Sequence, residues 1–131
     1  LAFLRESAEA RRWAFDIAAL AEAFDGDTEA TERAVGLFNA YCARCHTAGY
    51  SAGVAFTKEA GSGGFGPSLQ GGRSLVQFPE FEDQVDFIIS GSENAKQYGV
   101  NGVGRGWMPG FGTTLSQADL ESIVTLVRAL P

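Results

Sequence analysis

The sequence predicts an all-α domain of helices joined by glycine-rich loops, and three observations carry that expectation. Apolar residues recur at helical spacing in four stretches, and no run alternates convincingly as a strand would. Fifteen of the seventeen glycines fall between residues 49 and 112. Loops of that length are uncommon in a compact domain with a core of side chains alone. A large flat prosthetic group would resolve the difficulty by serving as the core around which the loops lie.

The first helix is expected over residues 1–26. Trp13, Ile17, Leu20 and Phe24 form one apolar stripe, and Arg5 with Glu9 and Arg12 with Asp16 pair opposite charges four apart. "FDGD" breaks it, with Gly26 suited to the position past a helix end. A second helix runs from Thr28 to about Ala43, capped by Asp27 or Thr28, with Glu29 and Glu32 at its positive end. Val35, Leu37, Phe38 and Tyr41 are its apolar surface. One short helix, "PEFEDQVDFIISG", interrupts the glycine loops, from near Pro79 to Gly91. The last spans about Gln117 to Ala129, opened by a Ser116–Asp119 capping box, with Leu120, Ile123, Val124 and Val127 as its buried stripe.

With 131 residues, one domain is expected, together with an accessory terminal segment. The formal charge of -6 argues against nucleic acid, whose phosphates need a basic face, and favours basic or neutral partners. No stretch of about 20 apolar residues is present to span a bilayer. No signal-peptide pattern is present either, and the chain opens at Leu1 rather than Met. An export signal or membrane anchor preceding "LAFL" is therefore an expectation, opposed by an added helix that only covers domain surface. Arg5, Arg11 and Arg12 argue mildly against the anchor, since positive charge beside a span favours the cytoplasmic side.

"YCARCHTAG", residues 41–49, holds both cysteines of the chain and its only histidine. Three chemistries share that spacing. A thioredoxin-like disulfide needs a strand beside C-x-x-C, whereas a helix precedes it here. A structural zinc site needs four ligands, and Cys42, Cys45 and His46 offer three. Attachment of haem c uses C-x-x-C-H: two thiols one turn apart can add to two vinyl groups on one porphyrin edge. His46 then presents its imidazole to the iron. Met108, the only methionine, stands in the loop "WMPGFG" rather than on a helix stripe, where core filler usually lies. A thioether there can complete the second axial position. In "GFGPSLQGGR", the carbonyl of Pro67 can accept the other ring N–H of a metal-bound histidine; an ordinary turn is the alternative.

The order helix, CARCH, GPSL, short helix, WMPGFG, terminal helix resembles a class I cytochrome c, over residues from about 28 to 131. The resemblance implies a cytochrome c fold wrapped around one covalent haem c. Residues 27–131 would be the cytochrome c domain and 1–26 an N-terminal helical extension. It implies thioethers at Cys42 and Cys45, His46 as proximal and Met108 as distal iron ligand, and Pro67 as the backbone acceptor for His46. Arg73 falls where the family often has an arginine near a haem propionate; a solvated loop charge is the alternative. Tyr98 and Trp107 either reach propionates or pack the pocket.

Three positions depart from the family pattern. The stretch from Thr47 to Phe65 is longer than usual. Ala34 replaces the glycine often found where the terminal helices cross, which would push them slightly apart. Leu126 replaces an aromatic, so the contact with Phe38 should be aliphatic.

The function implied is electron transfer and not catalysis, since His46 and Met108 leave no open coordination position. A respiratory chain is the setting implied, with donors and acceptors such as a quinol-oxidising complex, a terminal oxidase or a dehydrogenase. The location implied is extracytoplasmic, in the periplasm or on the outer face of the cytoplasmic membrane. A haem-based gas sensor or haem enzyme domain with a displaceable methionine, and a zinc-binding domain, are the competing readings.

Overall fold

The computed structural model describes residues 15–47, 50–51, 54–55, 60–64, 66–92, 97–100, 102–103 and 108–131. Among these, α1 (Ile17–Leu20) continues as a 3-10 turn (Ala21–Phe24), followed by α2 (Thr28–Tyr41) and α3 (Ala43–His46). Then come α4 (Arg73–Gln77), α5 (Phe81–Ser90) and α6 (Gln117–Arg128). The fold is all-α. Two antiparallel pairs of two residues each, β1 (Tyr50–Ser51) with β2 (Val54–Ala55) and β3 (Gln97–Tyr98) with β4 (Gly102–Val103), close turns within the glycine loops. Strands this short carry no readable alternation, so the sequence does not announce them. The five-residue α4 escapes notice for the same reason.

The N-terminal segment differs from the single helix expected over residues 1–26. Trp13, the Arg5–Glu9 pair and Arg12 lie outside the described residues. Asp16 has extended backbone, and its carboxylate accepts the N–H of Ala19 at 3.1 Å. Asp16 therefore stands at the start of a helix, where a short carboxylate competes well for free N–H groups. The segment ends at Asp25 in the left-handed region (φ 56), and Gly26 N–H donates to the carbonyl of Ala21 at 2.8 Å. Aspartate is one of the few residues that tolerates this conformation.

Local chemistry sets the ends of the two long helices. Asp27 caps α2 by accepting from Ala30 N–H at 3.0 Å, and Ser116 caps α6 by accepting from Asp119 N–H at 3.1 Å. The two helices pack on each other through apolar faces. Ala34 and Phe38 from α2 and Val124 and Leu126 from α6 are completely buried. Phe38 is not surrounded by aliphatic groups alone, as Leu126 suggested. The ring of Phe15 meets it edge to face, with centroids 5.6 Å apart. Leu20 and Ala21 are buried too, and Ile17 and Phe24 pack on the same core.

α5 buries Val85 and Ile88, leaves Ile89 about one-third exposed (37%) and stops at Gly91, whose φ of 71 suits glycine. Arg128 ties the end of α6 to the turn before α5. Its guanidinium donates to the carbonyl of Phe78 at 2.6 Å, to Gln84 Oε1 at 3.1 Å and to the carbonyl of Pro79 at 3.1 Å. Among the described residues no helix is long and apolar enough to cross a membrane.

Candidate functional site

Cys42 ends α2 and opens α3, so Cys42, Cys45 and His46 share one helical turn. The carbonyl of Cys42 accepts from Cys45 N–H at 3.2 Å and from His46 N–H at 3.0 Å. Residues three and four apart lie on one helix face, so the two sulfurs project to the same side. Both cysteines are free thiols and partly buried. Burial, reinforced by the neighbouring Cys45, pushes the Cys42 thiol up to about 12. Cys42 therefore sits in this fold as a neutral thiol packed against the core.

His46 is buried, and its Nδ1 lies 2.8 Å from the carbonyl oxygen of Pro67, 21 residues away. A carbonyl only accepts, so Nδ1 carries the proton and Nε2 keeps its lone pair. Burial holds the imidazole below the usual histidine range, against the opposing pull of the Pro67 carbonyl. The neutral ring that results is the form that binds a metal.

The loop around this turn has its glycines for local reasons. A Cβ on Gly66 would lie 2.6 Å from His46 Cε1 and 2.8 Å from Nδ1, so the backbone there lies directly against the ring. Gly66 N–H donates to the carbonyl of Cys45 at 2.5 Å, and Gly63 N–H to that of His46 at 2.8 Å. The loop thereby satisfies two carbonyls that the end of α3 would leave without partners. Thr47 Oγ1, in turn, accepts from Gly61 N–H at 3.1 Å.

Met108 occupies a second loop, docked on the C-terminal end of α5. Its N–H donates to Ser92 Oγ at 3.1 Å, and its carbonyl accepts from Ser92 N–H at 3.1 Å. Phe111 N–H donates to the carbonyl of Ile88 at 2.9 Å and Gly112 N–H to that of Ile89 at 3.2 Å. A Cβ on Gly91 would meet the Met108 carbonyl oxygen at 2.5 Å, and one on Gly110 the Ile89 carbonyl oxygen at 2.6 Å. Met108 is partly buried against the same core as Cys42.

Of the other residues singled out from the sequence, Arg73 is exposed on the first turn of α4. Trp107 lies outside the described residues, as does the side chain of Tyr98, whose backbone forms part of β3. Gly66 and Ser92 were not singled out. Gly66 precedes the proline in "GFGPSL", the one hint available, whereas nothing in the pattern around Ser92 announces its contact.

The donor set fits covalent haem c. It combines two free thiols on one face, a neutral imidazole with Nε2 uncommitted, and a glycine where a side chain would crowd the ring. Among the described residues no three His, Cys, Asp or Glu side chains cluster to hold a metal ion. Fold and site together define a class I c-type cytochrome domain. Residues 29–127 match the family model described as cytochrome C oxidase, cbb3-type, subunit III, and the chain belongs to that family. Membership implies covalent haem c and a role in haem-based electron transfer. No curated protein and no solved structure matches the chain.

Proposed function

We propose that this domain is a one-electron carrier holding a single haem c through thioethers from Cys42 and Cys45. His46 Nε2 and the Met108 thioether would hold its iron, and the Pro67 carbonyl would orient His46. The observation that carries the reading is the 2.8 Å contact between His46 Nδ1 and the Pro67 carbonyl. That contact fixes the tautomer and leaves the lone pair on Nε2. The bound haem supplies an iron that alternates between ferrous and ferric states, at a positive potential favoured by methionine ligation and burial.

The chain's own residues do the rest. Gly66 gives the imidazole room, and the α5 end holds the Met108 loop in place. Arg73 would stand near a propionate, and Tyr98 and Trp107 would reach the propionates or pack the pocket. Attachment of the haem to the unfolded chain after export, with the cysteines kept reduced until then, is part of the same proposal.

The family description supports a place beside a respiratory oxidase. The partners are redox proteins: a quinol-oxidising complex or a dehydrogenase as donor, and a terminal oxidase as acceptor. Encounters of this kind use small, transient interfaces. The setting is the periplasm or the outer face of the cytoplasmic membrane.

An absorption spectrum of the exported, purified protein is the test. A sharp reduced c-type spectrum that survives acid-acetone extraction is expected, unchanged by carbon monoxide. A colourless protein ends the proposal, and ready carbon monoxide binding makes the domain a sensor or enzyme. Fractionating the native host tests the location: cytochrome recovered in the cytoplasmic fraction overturns it.

A further inference from the structure

Met108 stands at the end of a long connection. Sixteen positions separate it from Ser92. A connection of that length leaves its distal end many positions unless something closes it. Ser92 closes it. Ser92 is buried, its hydroxyl oxygen accepts the Met108 N–H at 3.1 Å, and its own N–H donates to the Met108 carbonyl at 3.1 Å. One residue thus holds both polar groups of the Met108 backbone, from both ends of the loop.

The remaining contacts explain why Ser92 itself stays in place. Gly91 has a positive φ of 71, and a Cβ there would meet the Met108 carbonyl oxygen and Pro109. Its N–H donates to the carbonyl of Phe87 at 2.6 Å, which fastens it to the last turn of α5. α5 is in turn held to the terminal helix through Arg128. Rigidity therefore passes from the helical core through Gly91 and Ser92 to the methionine backbone.

We infer that Ser92 is a positioning residue for the distal ligand: by fixing the Met108 backbone it keeps the thioether on the iron against competing ligands. The inference rests on the reading of Met108 as an iron ligand. Without the hydroxyl, the Met108 N–H loses its acceptor and only the Ser92 N–H bond remains. The expected weakening of methionine ligation is about five- to tenfold, the size of one net backbone hydrogen bond.

The experiment uses haem-loaded, exported protein carrying Ser92→Ala, Ser92→Thr or Ser92→Val, each alone and combined with Met108→Ala. Three quantities are read: the far-red methionine–iron band of the ferric form, the midpoint potential, and the fraction of ferrous protein that binds carbon monoxide. Ser92→Ala and Ser92→Val should weaken the band, lower the potential and raise carbon monoxide affinity about five- to tenfold. Ser92→Thr, which keeps the hydroxyl, should preserve all three. In the Met108→Ala background the Ser92 substitutions should change nothing. If Ser92→Ala does not retain haem, the Thr and Val variants, nearly equal in volume, decide the matter.

Unaltered ligation in Ser92→Ala overturns the inference. Equal perturbation by Thr and Val does so as well, because side-chain volume and not the hydroxyl would then matter. Equal shifts with and without Met108 show a general structural effect and also overturn it. A Met108→Ala single variant that keeps the band and the potential overturns the ligand reading itself, whatever Ser92 does.

Discussion

Phe15 meets Phe38 edge to face, ring centroids 5.6 Å apart and planes inclined at 81°. Phe38 is completely buried, and Phe15 nearly so. The segment ahead of α2 therefore supplies a ring to the crossing of α2 and α6, where α6 itself contributes the aliphatic Leu126. Edge-to-face pairs add about 0.5–1.5 kcal/mol beyond the apolar area they bury.

Phe15→Ala should destabilise the holoprotein by about 3 kcal/mol through the cavity it leaves, and Phe15→Leu by about 1 kcal/mol. The midpoint potential should scarcely move, because the contact is to the helix crossing and not to His46 or Met108. Denaturant titration followed by circular dichroism measures the cost. A loss well under 1 kcal/mol for Phe15→Ala would mean that the ring contributes little to the core.

Two neighbouring glycines should respond differently to alanine. At Gly66 a Cβ would come 2.6 Å from the His46 ring, whereas at Gly64 its nearest neighbour is the Cys45 carbonyl oxygen at 3.4 Å. Gly66→Ala should cost about 1–3 kcal/mol, shift the midpoint potential and reduce haem loading. Gly64→Ala should load haem normally and keep the potential. Equal behaviour of the two variants in a redox titration would contradict the close approach of Gly66 to the imidazole.

Met108→Ala should leave the haem attached, since the thioethers are remote from it in sequence. The potential should fall, the far-red ferric band should disappear, and the ferrous protein should bind carbon monoxide. Met108→His should also keep the haem and lower the potential, because a nitrogen ligand favours the ferric state more than a thioether does. An unchanged potential in Met108→Ala would place the distal ligand elsewhere.

Removing both thioether sulfurs should expose how much of the core the cofactor supplies. The Cys42→Ala, Cys45→Ala chain should be colourless and show much of its helical signal lost, because the loops of residues 47–112 would lie around nothing. Helix pairing alone must offset the ordering of those loops, at about 1–2 kcal/mol per residue in backbone entropy. Far-ultraviolet circular dichroism decides it: a fully helical, cooperatively melting apoprotein would show that the side-chain core suffices.

What could be read from the chain follows the range of the interactions concerned. α2 and α6 were legible because their caps, Asp27 and Ser116, act over three residues and their buried faces repeat at the helical period. α4 and the two short strand pairs were not, since a stretch of two to five residues contains too little of any period. The cap at Asp16 was not legible either, since the sequence shows only its spacing from neighbouring charges, while capping depends on where the backbone turns.

The sequence by itself determined the all-α class, and it pointed to the attachment chemistry as well. Cys42, Cys45 and His46 lie within five positions, so any helical turn brings them to one side. The lone methionine in a proline-bounded loop and the weight of glycine between 49 and 112 likewise needed no coordinates. The Pro67 carbonyl was an expected acceptor for His46, and the tertiary structure decided for it over an ordinary turn; only that structure showed that Gly66 lies against the ring and that Ser92 holds Met108. It alone decided, too, that Phe15 completes the core beside Phe38. The reason is physical: these contacts form when glycine loops close on a helical frame, and loop closure leaves no periodic trace in the order of residues.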